Sequence, residues 1–413
     1  MACGHVLFQI MPSAPPSGDP APPDGMLPVS AIAELGMRDL GCYVHVPFCR
    51  ARCGYCDFNT YIPDRLGAGA DPQAWQVAVG QEVALARRVL GASCPPAATV
   101  FFGGGTPSLL APAQLIRVLE QLADYPGIAP DAEITLEANP ETLGAAELKE
   151  LCRAGFNRIS LGMQSAVPRI LAVLDRGHRP ERVPRVVGWA REAGFAQVSL
   201  DLIYGAPGET LMDWRVSLNA AIQAQPDHIS AYALVIEPGT ALGRRLTRGE
   251  IAPVDEDQQA DSYLVAEDLL TAAGYRNYEI SNWSCGVGSR ARHNLAYWLG
   301  ANWWGFGPGA HSHVGGVRWW NLRHPARYAA CLGAGHSPAQ AREVLGAEPR
   351  RVERVLLELR LADGLPLGVL TASERDRLAD PMGRGLIEVS TERVRLTLAG
   401  RLLADTVVRD LLD

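Results

Sequence analysis

A short pattern, in which a helix end is followed by a glycine, an aromatic residue and an apolar strand, occurs three times in this chain. Its copies occupy residues 152–161, 191–200 and 271–280. The glycine in each copy suits the left-handed conformation that ends many helices, and the copies are separated by roughly one and two units of about 40 residues. Six β-rich runs alternate with stretches of helical periodicity: 43–48, 99–102, 133–137, 158–161, 198–203 and 228–235. This alternation predicts an α/β fold with a parallel sheet, built as a βα barrel or as a doubly wound sheet.

The bulk composition excludes several classes of protein. With 47% apolar and 20% charged residues among 413, the chain is an ordinary globular mixture. A net charge of −7 argues against a nucleic-acid partner, because a general nucleic-acid binder needs a basic surface. No apolar run approaches the ~20 residues of a transmembrane helix, and the apolar stretch at residues 6–11 lacks the basic flank and cleavage site of a signal peptide. We therefore expect a cytoplasmic protein without a transmembrane segment.

Three parts of the chain differ in pattern. Residues 1–38 are rich in Pro, Ala and Gly and are predicted to form a flexible tail, within which Met11 offers a second translation start. Residues 39–285 carry the strand–helix alternation and are predicted to form the barrel. Residues 286–413 are predicted to form a C-terminal α+β domain that is winged-helix-like.

The prediction for the C-terminal part depends on three segments. A helical region rich in Arg and Leu starts near residue 338, residues 385–397 have the pattern of a hairpin, and residues 398–412 that of a closing helix. Helices combined with one hairpin fit a small winged-helix-like domain. Its basic helices could suggest DNA, but a solvated helix face explains them more simply.

Three of the nine cysteines form the strongest chemical signal, since Cys49, Cys53 and Cys56 follow directly after the first β-rich run. Thiolates are the normal ligands of iron–sulfur clusters. Three of them on a [4Fe-4S] cluster leave one iron open for the amino and carboxylate groups of S-adenosylmethionine (SAM). The alternative is a structural zinc site, which needs a fourth ligand such as His45 or Asp57.

The spacing CxxxCxxC, with an aromatic residue before the third cysteine, resembles the radical SAM superfamily. The wider run at residues 43–58 is similar to the oxygen-independent coproporphyrinogen oxidase family (HemN/HemW), and the resemblance covers about residues 40 to 410. It implies a partial TIM-type (βα)6 radical SAM barrel followed by a C-terminal domain, with a [4Fe-4S] cluster and SAM as cofactors.

Polar residues and glycines at the ends of the predicted strands fit this fold, because barrel active sites lie at the C-terminal ends of the strands. Glu137, Gln164 and Asp201 are candidates to bind the ribose hydroxyls and amino group of SAM, and Arg176 to bind its carboxylate. The resemblance places SAM contacts at nine positions: Tyr43, Gly104, Gly105, Thr106, Glu137, Gln164, Arg176, Asp201 and Val235.

Two features distinguish the branches of this family. Oxidases continue the motif as CxxxCxxCxC, whereas this chain has Phe58 at the last position. Residues 293–298 match the HNxxYW motif that the resemblance associates with heme chaperones. His293 is therefore the tentative heme ligand, with Tyr297 and Trp298 as flat faces for a porphyrin and His311 as a second candidate ligand. A structural role for His293, with the aromatic residues as core, is the alternative.

Three functions stay open at this point. The resemblance favours a heme chaperone that binds heme and transfers it to heme-requiring (respiratory) apoproteins, with an electron donor as a further partner. The second is an oxygen-independent coproporphyrinogen III oxidase, an activity that Phe58 puts in doubt. The third is a radical SAM enzyme with another substrate.

Overall fold

A computed structural model describes residues 18–67 and 69–412 of the chain. Within these ranges the strands are β1 (Asp19–Pro20), β2 (Leu40–Val46), β3 (Ala97–Gly104), β4 (Ile128–Ala138), β5 (Arg158–Gln164), β6 (Gln197–Tyr204), β7 (His228–Ala233), β8 (Arg276–Glu279), β9 (Asn282–Ser284), β10 (Asn302–Phe306), β11 (His311–Val314), β12 (Val317–Asn321), β13 (Ala339–Val344), β14 (Leu365–Pro366), β15 (Ile387–Val389) and β16 (Arg393–Leu396).

The helices of the same ranges are α1 (Val29–Ala33), α2 (Pro72–Leu90), α3 (Pro112–Asp124), α4 (Ala145–Arg153), α5 (Pro168–Val173), α6 (Arg182–Ala193), α7 (Leu211–Gln223), α8 (Ala241–Thr247), α9 (Glu256–Ala272), α10 (Arg292–Trp298), α11 (Pro325–Gly333), α12 (Ala347–Glu358), α13 (Ala372–Asp376), α14 (Ala379–Gly383), α15 (Leu398–Leu402) and α16 (Ala404–Leu412). All six predicted β-rich runs coincide with β2 to β7.

The central sheet has 13 strands in the order β1-β13-β12-β11-β10-β2-β3-β4-β5-β6-β7-β9-β8. Strands β2 to β7 are neighbours in chain order and all parallel, which confirms the α/β fold with a parallel sheet. The sheet stays open in the described residues, with β1 and β8 at its edges. The result is a partial barrel whose parallel strands all end at the same rim.

Apolar side chains on the outward face of these strands pack under the helices that connect them. Val44 of β2, Phe102 of β3 and Leu136 of β4 are fully buried in one core with residues of α2, α3 and α4. The glycines of the repeated pattern have positive φ angles, and Gly194 ends α6 in the left-handed conformation. These caps turn each helix directly into the next strand, as the pattern predicted.

The sheet continues beyond the point where the strand–helix alternation stops at residue 285. Strand β10 adds in parallel to β2, and β11, β12 and β13 extend the sheet antiparallel. The helical region predicted from residue 338 is therefore wrong for its first part, which is β13, and α12 begins at Ala347. Pairing with β12 and β1 outweighs the local helical pattern there.

The N-terminal segment is packed against this extension. Strand β1 pairs with β13, Ala31 and Leu35 are buried in the main core, and Arg350 forms a bidentate ion pair with Glu34. The prediction of a flexible tail is therefore wrong for residues 18–38, because apolar residues between the prolines find a partner surface. Residues 1–17, with Met11, lie outside the described residues.

The C-terminal residues form a second, smaller core. Helices α12 to α16 surround a three-stranded sheet in the order β14-β16-β15, and apolar residues from Val355 to Leu411 form a separate cluster. The predicted hairpin is β15 and β16, and the predicted closing helix is split into α15 and α16 at Leu403. The small α+β core therefore covers only the later part of the predicted 286–413 domain. The predicted boundary at residue 286 is wrong, because β10 to β13 join the main sheet.

Candidate functional site

The three motif cysteines lie in one loop that follows the C-terminal end of β2. The backbone N–H of Cys49 donates to the carbonyl of Tyr61 (2.9 Å), and that of Gly54 donates to the carbonyl of Leu174 (3.1 Å). Each sulfur has a different polar neighbour: Thr106 Oγ1 is 3.6 Å from Cys49 Sγ, Arg176 Nη1 is 3.5 Å from Cys53 Sγ, and Thr60 Oγ1 is 3.9 Å from Cys56 Sγ.

The donor set fits an iron–sulfur cluster. Burial raises the pKa of the Cys49 thiol to about 11 and raises that of Cys56, so a bound metal centre is what would hold these groups as thiolates. His45 is not placed as a fourth ligand for zinc, because its ring nitrogens already contact Tyr43 Oη (2.9 Å) and the carbonyl of Asn59 (3.0 Å). In the described residues no three His, Cys, Asp or Glu side chains are grouped to hold a single metal ion.

Two glycines at the end of β3 form a cradle beside the cysteine loop. A Cβ on Gly105 would lie 2.6 Å from the carbonyl oxygen of Phe48, and one on Gly104 would lie 2.5 Å from the ring of His45. Gly104 has φ +107°, which side-chain-bearing residues rarely adopt. Only glycine therefore lets the backbone pass this close to the loop, and the N–H of Thr106 then bonds to the carbonyl of Phe48 (2.8 Å).

Two carboxyl groups face the same interior space at the ends of β4 and β6. Burial, with the nearby Asp201 as a second cause, raises the pKa of Glu137 to about 8, while the N–H of Gly104 donates to Glu137 Oε2 (3.1 Å) and opposes the shift. Burial also raises the pKa of Asp201, although Ser160 Oγ donates to its Oδ2 (2.8 Å). Both are acceptors placed for hydroxyl or amino groups of a ligand.

The remaining predicted SAM contacts surround these carboxyl groups. Gln164 has φ +60° at an irregularity in the pairing of β5 with β6, which redirects its side chain. Tyr43 is part-buried and stacks on Phe101, with the ring centroids 6.2 Å apart, and Val235 is exposed just after β7.

Arg176 joins the carboxyl side of the site to the cysteine loop. Its Nη2 donates to the carbonyl of Gly162 (2.9 Å), and its Nη1 reaches Cys53. Its Nε is buried and has no hydrogen-bond partner among the described residues. A buried guanidinium N–H without a partner is costly, and the carboxylate of SAM would satisfy it. The residues present therefore fit both the cluster and SAM.

The ring of His293 stacks on Phe101 (5.1 Å between centroids) and on Tyr43 (6.4 Å), so it lies beside a predicted SAM contact. Helix α10 places it beside Gly41 and Thr99, near the starts of β2 and β3, with 1% of its surface exposed. Its Nδ1 is 2.7 Å from Thr99 Oγ1, its Nε2 is 2.9 Å from Tyr297 Oη, and burial lowers its pKa to about 3. Binding to heme iron would require this imidazole to give up one of the two hydrogen bonds.

The other residues of the predicted heme site are also engaged. Tyr297 packs edge-on against Trp303 (4.7 Å between centroids), and Trp298 is buried. His311 is half-buried and stacks on Trp320 (5.9 Å). The motif therefore places a layer of packed aromatic rings near the starts of β2 and β3, and heme ligation by His293 stays a prediction.

Comparisons with known proteins agree with the cysteine loop and the barrel. Residues 43–221 match the model of the radical SAM superfamily. The chain is 49% identical over 381 residues to a protein of Mycobacterium tuberculosis named "Heme chaperone HemW", covering 92% of this chain and 97% of that one. The chain belongs to the HemW family of radical SAM proteins. A HemW of Bacillus subtilis is 32% identical, with 88% of this chain and 97% of that one covered.

The fold of this HemW-family chain also matches a solved structure. The coproporphyrinogen III oxidase HemN of Escherichia coli superposes with a TM-score of 0.80 at 23% identity, covering 92% of each chain. At this level of identity the match shows the fold alone, which is the radical SAM barrel. Phe58, at the position where the oxidase pattern has cysteine, is 59% exposed beside the loop.

Sequence reasoning missed a cavity that this HemW-family fold forms next to the cysteine loop. Residues 52 and 58–61 of the loop face residues 322–327 across a space of about 450 Å³. Nothing in the local pattern indicated that these two segments meet.

The described residues include no helix with the length and apolar character needed to span a bilayer.

Proposed function

We propose that this protein is a heme chaperone, which binds heme and passes it to heme-requiring apoproteins in the cytoplasm. The observation that carries the proposal is the 49% identity over nearly the full length of a protein named for this activity. The Phe58 position supports it, because the extra cysteine of the oxidase pattern is missing.

In this proposal the end of the barrel with the cysteines is the cofactor site. Cys49, Cys53 and Cys56 would hold the cluster, and Arg176 would bind the carboxylate of SAM through its buried Nε. Glu137 and Asp201 would accept hydrogen bonds from the ribose, and Gly104 and Gly105 would let the backbone approach. The two cofactors, when bound together, supply one-electron chemistry at the sulfonium of SAM.

The partners follow from this assignment. An electron donor would reduce the cluster, and apoproteins that lack heme would accept the cargo. The net charge of −7 continues to argue against a nucleic-acid partner. Cytoplasmic localisation fits three cysteines that must stay unpaired to hold a cluster, since thiols remain reduced in that compartment.

Anaerobic reconstitution followed by two parallel assays tests the proposal. We expect the cluster-loaded protein to bind hemin with a ligated-heme absorbance band and to release no carbon dioxide from coproporphyrinogen III with SAM and a reductant. Formation of protoporphyrinogen would assign the chain to the oxidases despite Phe58. Heme binding no tighter than that of an unrelated protein of similar mean hydropathy would refute the chaperone function.

A further inference from the structure

The described residues contain eight histidines, and most cannot reach a ligand in this conformation. His45, His228 and His293 have both ring nitrogens in hydrogen bonds, His313 is buried with its Nδ1 on the carbonyl of Ala301, and His311 is stacked and half-buried. His178 is buried, with neither ring nitrogen hydrogen-bonded among the described residues, and no route from the surface to it is seen. Two imidazoles are exposed, those of His324 and His336. His324 lines a cavity, and His336 is not among the residues that line it.

That cavity lies between the cysteine loop and the start of α11. Its volume of about 450 Å³ is within the range of small-molecule and cofactor sites. Asn59 holds the two walls together, since its Nδ2 donates to the carbonyls of Pro308 (2.9 Å) and Arg323 (2.8 Å). Tyr61 Oη reinforces this junction by donating to Asn59 Oδ1 (3.1 Å). The cavity is thus a built part of the fold.

The lining has the charge and shape of a site for a planar dicarboxylate. Three arginines, Arg52, Arg323 and Arg327, line it, and none of its described lining residues is acidic, although the whole chain carries a net charge of −7. Guanidinium groups are well suited to carboxylates. Phe58 and Tyr61 add aromatic surface to the lining.

His324 supplies a metal ligand at the same place. Its ring packs edge-on against Tyr61, with the centroids 5.8 Å apart and the planes at 64°, and it is exposed to the cavity. A neutral imidazole is the usual proximal ligand of heme iron. Carboxylate-binding arginines, aromatic faces and one accessible imidazole therefore meet in one cavity.

We propose that this cavity is the heme site of the protein, with His324 as the axial ligand of the iron and Arg52 and Arg327 as partners of the two propionates. The proposal rests on the proposed heme chaperone function and names the site where the cargo binds. It differs from the motif-based prediction of His293, whose imidazole is buried with both ring nitrogens hydrogen-bonded.

The cavity also connects the cargo to the cluster. Thr60, on the cavity wall, contacts Cys56 Sγ, and the carbonyl of Tyr61 accepts the N–H of Cys49. The loop that forms this wall is therefore the one whose cysteines would hold the cluster, although no cysteine lines the cavity.

Hemin titrations of the full-length, cluster-loaded protein under anaerobic conditions test the site. His324→Ala should shift the heme absorbance band and weaken binding by roughly tenfold or more, since even losing an outer-shell partner costs a metal site 10–100-fold. The matched control is His336→Ala, which removes an exposed imidazole of the neighbouring segment outside the cavity. It should leave both the band and the affinity unchanged.

Two further probes separate iron ligation from carboxylate binding. Metal-free protoporphyrin IX should bind His324→Ala as well as wild type, because no iron is present, but should bind Arg327→Ala more weakly. Hemin dimethyl ester, whose propionates are blocked, should bind the wild type more weakly than hemin does. Its affinity should be the same for the wild type and for Arg327→Ala.

The outcomes distinguish this site from the function on which it rests. One result would overturn the site and leave the chaperone function standing. In it, His324→Ala keeps the wild-type heme absorbance band and hemin affinity, whereas His293→Gln loses the band and the affinity. Failure of the wild type to bind hemin above background would instead remove the chaperone function itself. Iron and sulfide contents of each variant show that the fold and cluster are intact.

Discussion

Arg176 is the side chain whose removal most directly tests the cofactor site. Its Nε is buried without a partner, while its Nη2 bonds to Gly162 and its Nη1 contacts the sulfur of Cys53. We therefore expect Arg176→Ala to remove one charge-assisted hydrogen bond to the carboxylate of SAM. Such a bond contributes ~1.5–3 kcal/mol, so affinity for SAM should fall by roughly 10- to 100-fold.

The assay is anaerobic calorimetry of SAM binding to cluster-loaded protein, with affinities compared at equal iron content. The Arg176–Cys53 contact is a long one to sulfur, so the cluster itself should be retained. Arg179→Ala is the matched control, since Arg179 lies three residues further on, is 75% exposed and forms only a surface ion pair with Glu141. Arg176→Lys should fall between the two, because lysine keeps the charge but lacks the planar fork of donors. Unchanged SAM affinity in a cluster-loaded Arg176→Ala protein would refute the role assigned to its Nε.

Three further predictions test the loop, the cradle and the core. Cys53→Ser should abolish most iron and labile sulfide after reconstitution, whereas Cys285→Ser, at an exposed position away from the loop, should not; equal losses in both would disprove the three-ligand model. Gly104→Ala should weaken SAM binding and lower the free energy of unfolding by at least ~1 kcal/mol. The new Cβ would lie 2.5 Å from the ring of His45, and a backbone φ of +107° is strained for alanine. A wild-type melting temperature and SAM affinity would contradict this. Burial lowers the pKa of His178 to about 4, so the native state keeps it neutral while the unfolded chain binds a proton below pH 6.5. The free energy of unfolding should therefore fall between pH 7 and pH 5, and in His178→Gln this fall should be smaller by about 2 kcal/mol, as measured by urea unfolding. The same pH dependence in both proteins would contradict the prediction.

The positions of β2 to β7 and the cysteine loop could be predicted from the sequence, because their signals are local. A buried parallel strand is a short apolar run, a glycine after a helix marks the turn into the next strand, and CxxxCxxC is a spacing within eight residues. Gly104 and Arg176 could likewise be placed at the cofactor site, because strand ends in a parallel sheet converge on one rim.

Other features depended on contacts between distant parts of the chain. Strand β13 was read as helix, since its pairing with β1 and β12 is not visible in its own periodicity. The HNxxYW motif predicts His293 as a heme ligand, which stays a prediction, and only the packing of α10 shows that its ring nitrogens bond to Thr99 and Tyr297.

The sequence by itself determined the parallel strands, the three-cysteine motif and the family, because each depends on residue types at short, regular separations. Tertiary structure alone decided where an imidazole is accessible and which arginines surround it. Asn59 and Arg323 are 264 residues apart, yet they join the two walls of the cavity that holds His324. That contact arises because β10 adds beside β2 and brings the chain that follows it back to the cysteine loop, a consequence of sheet register that no local pattern encodes.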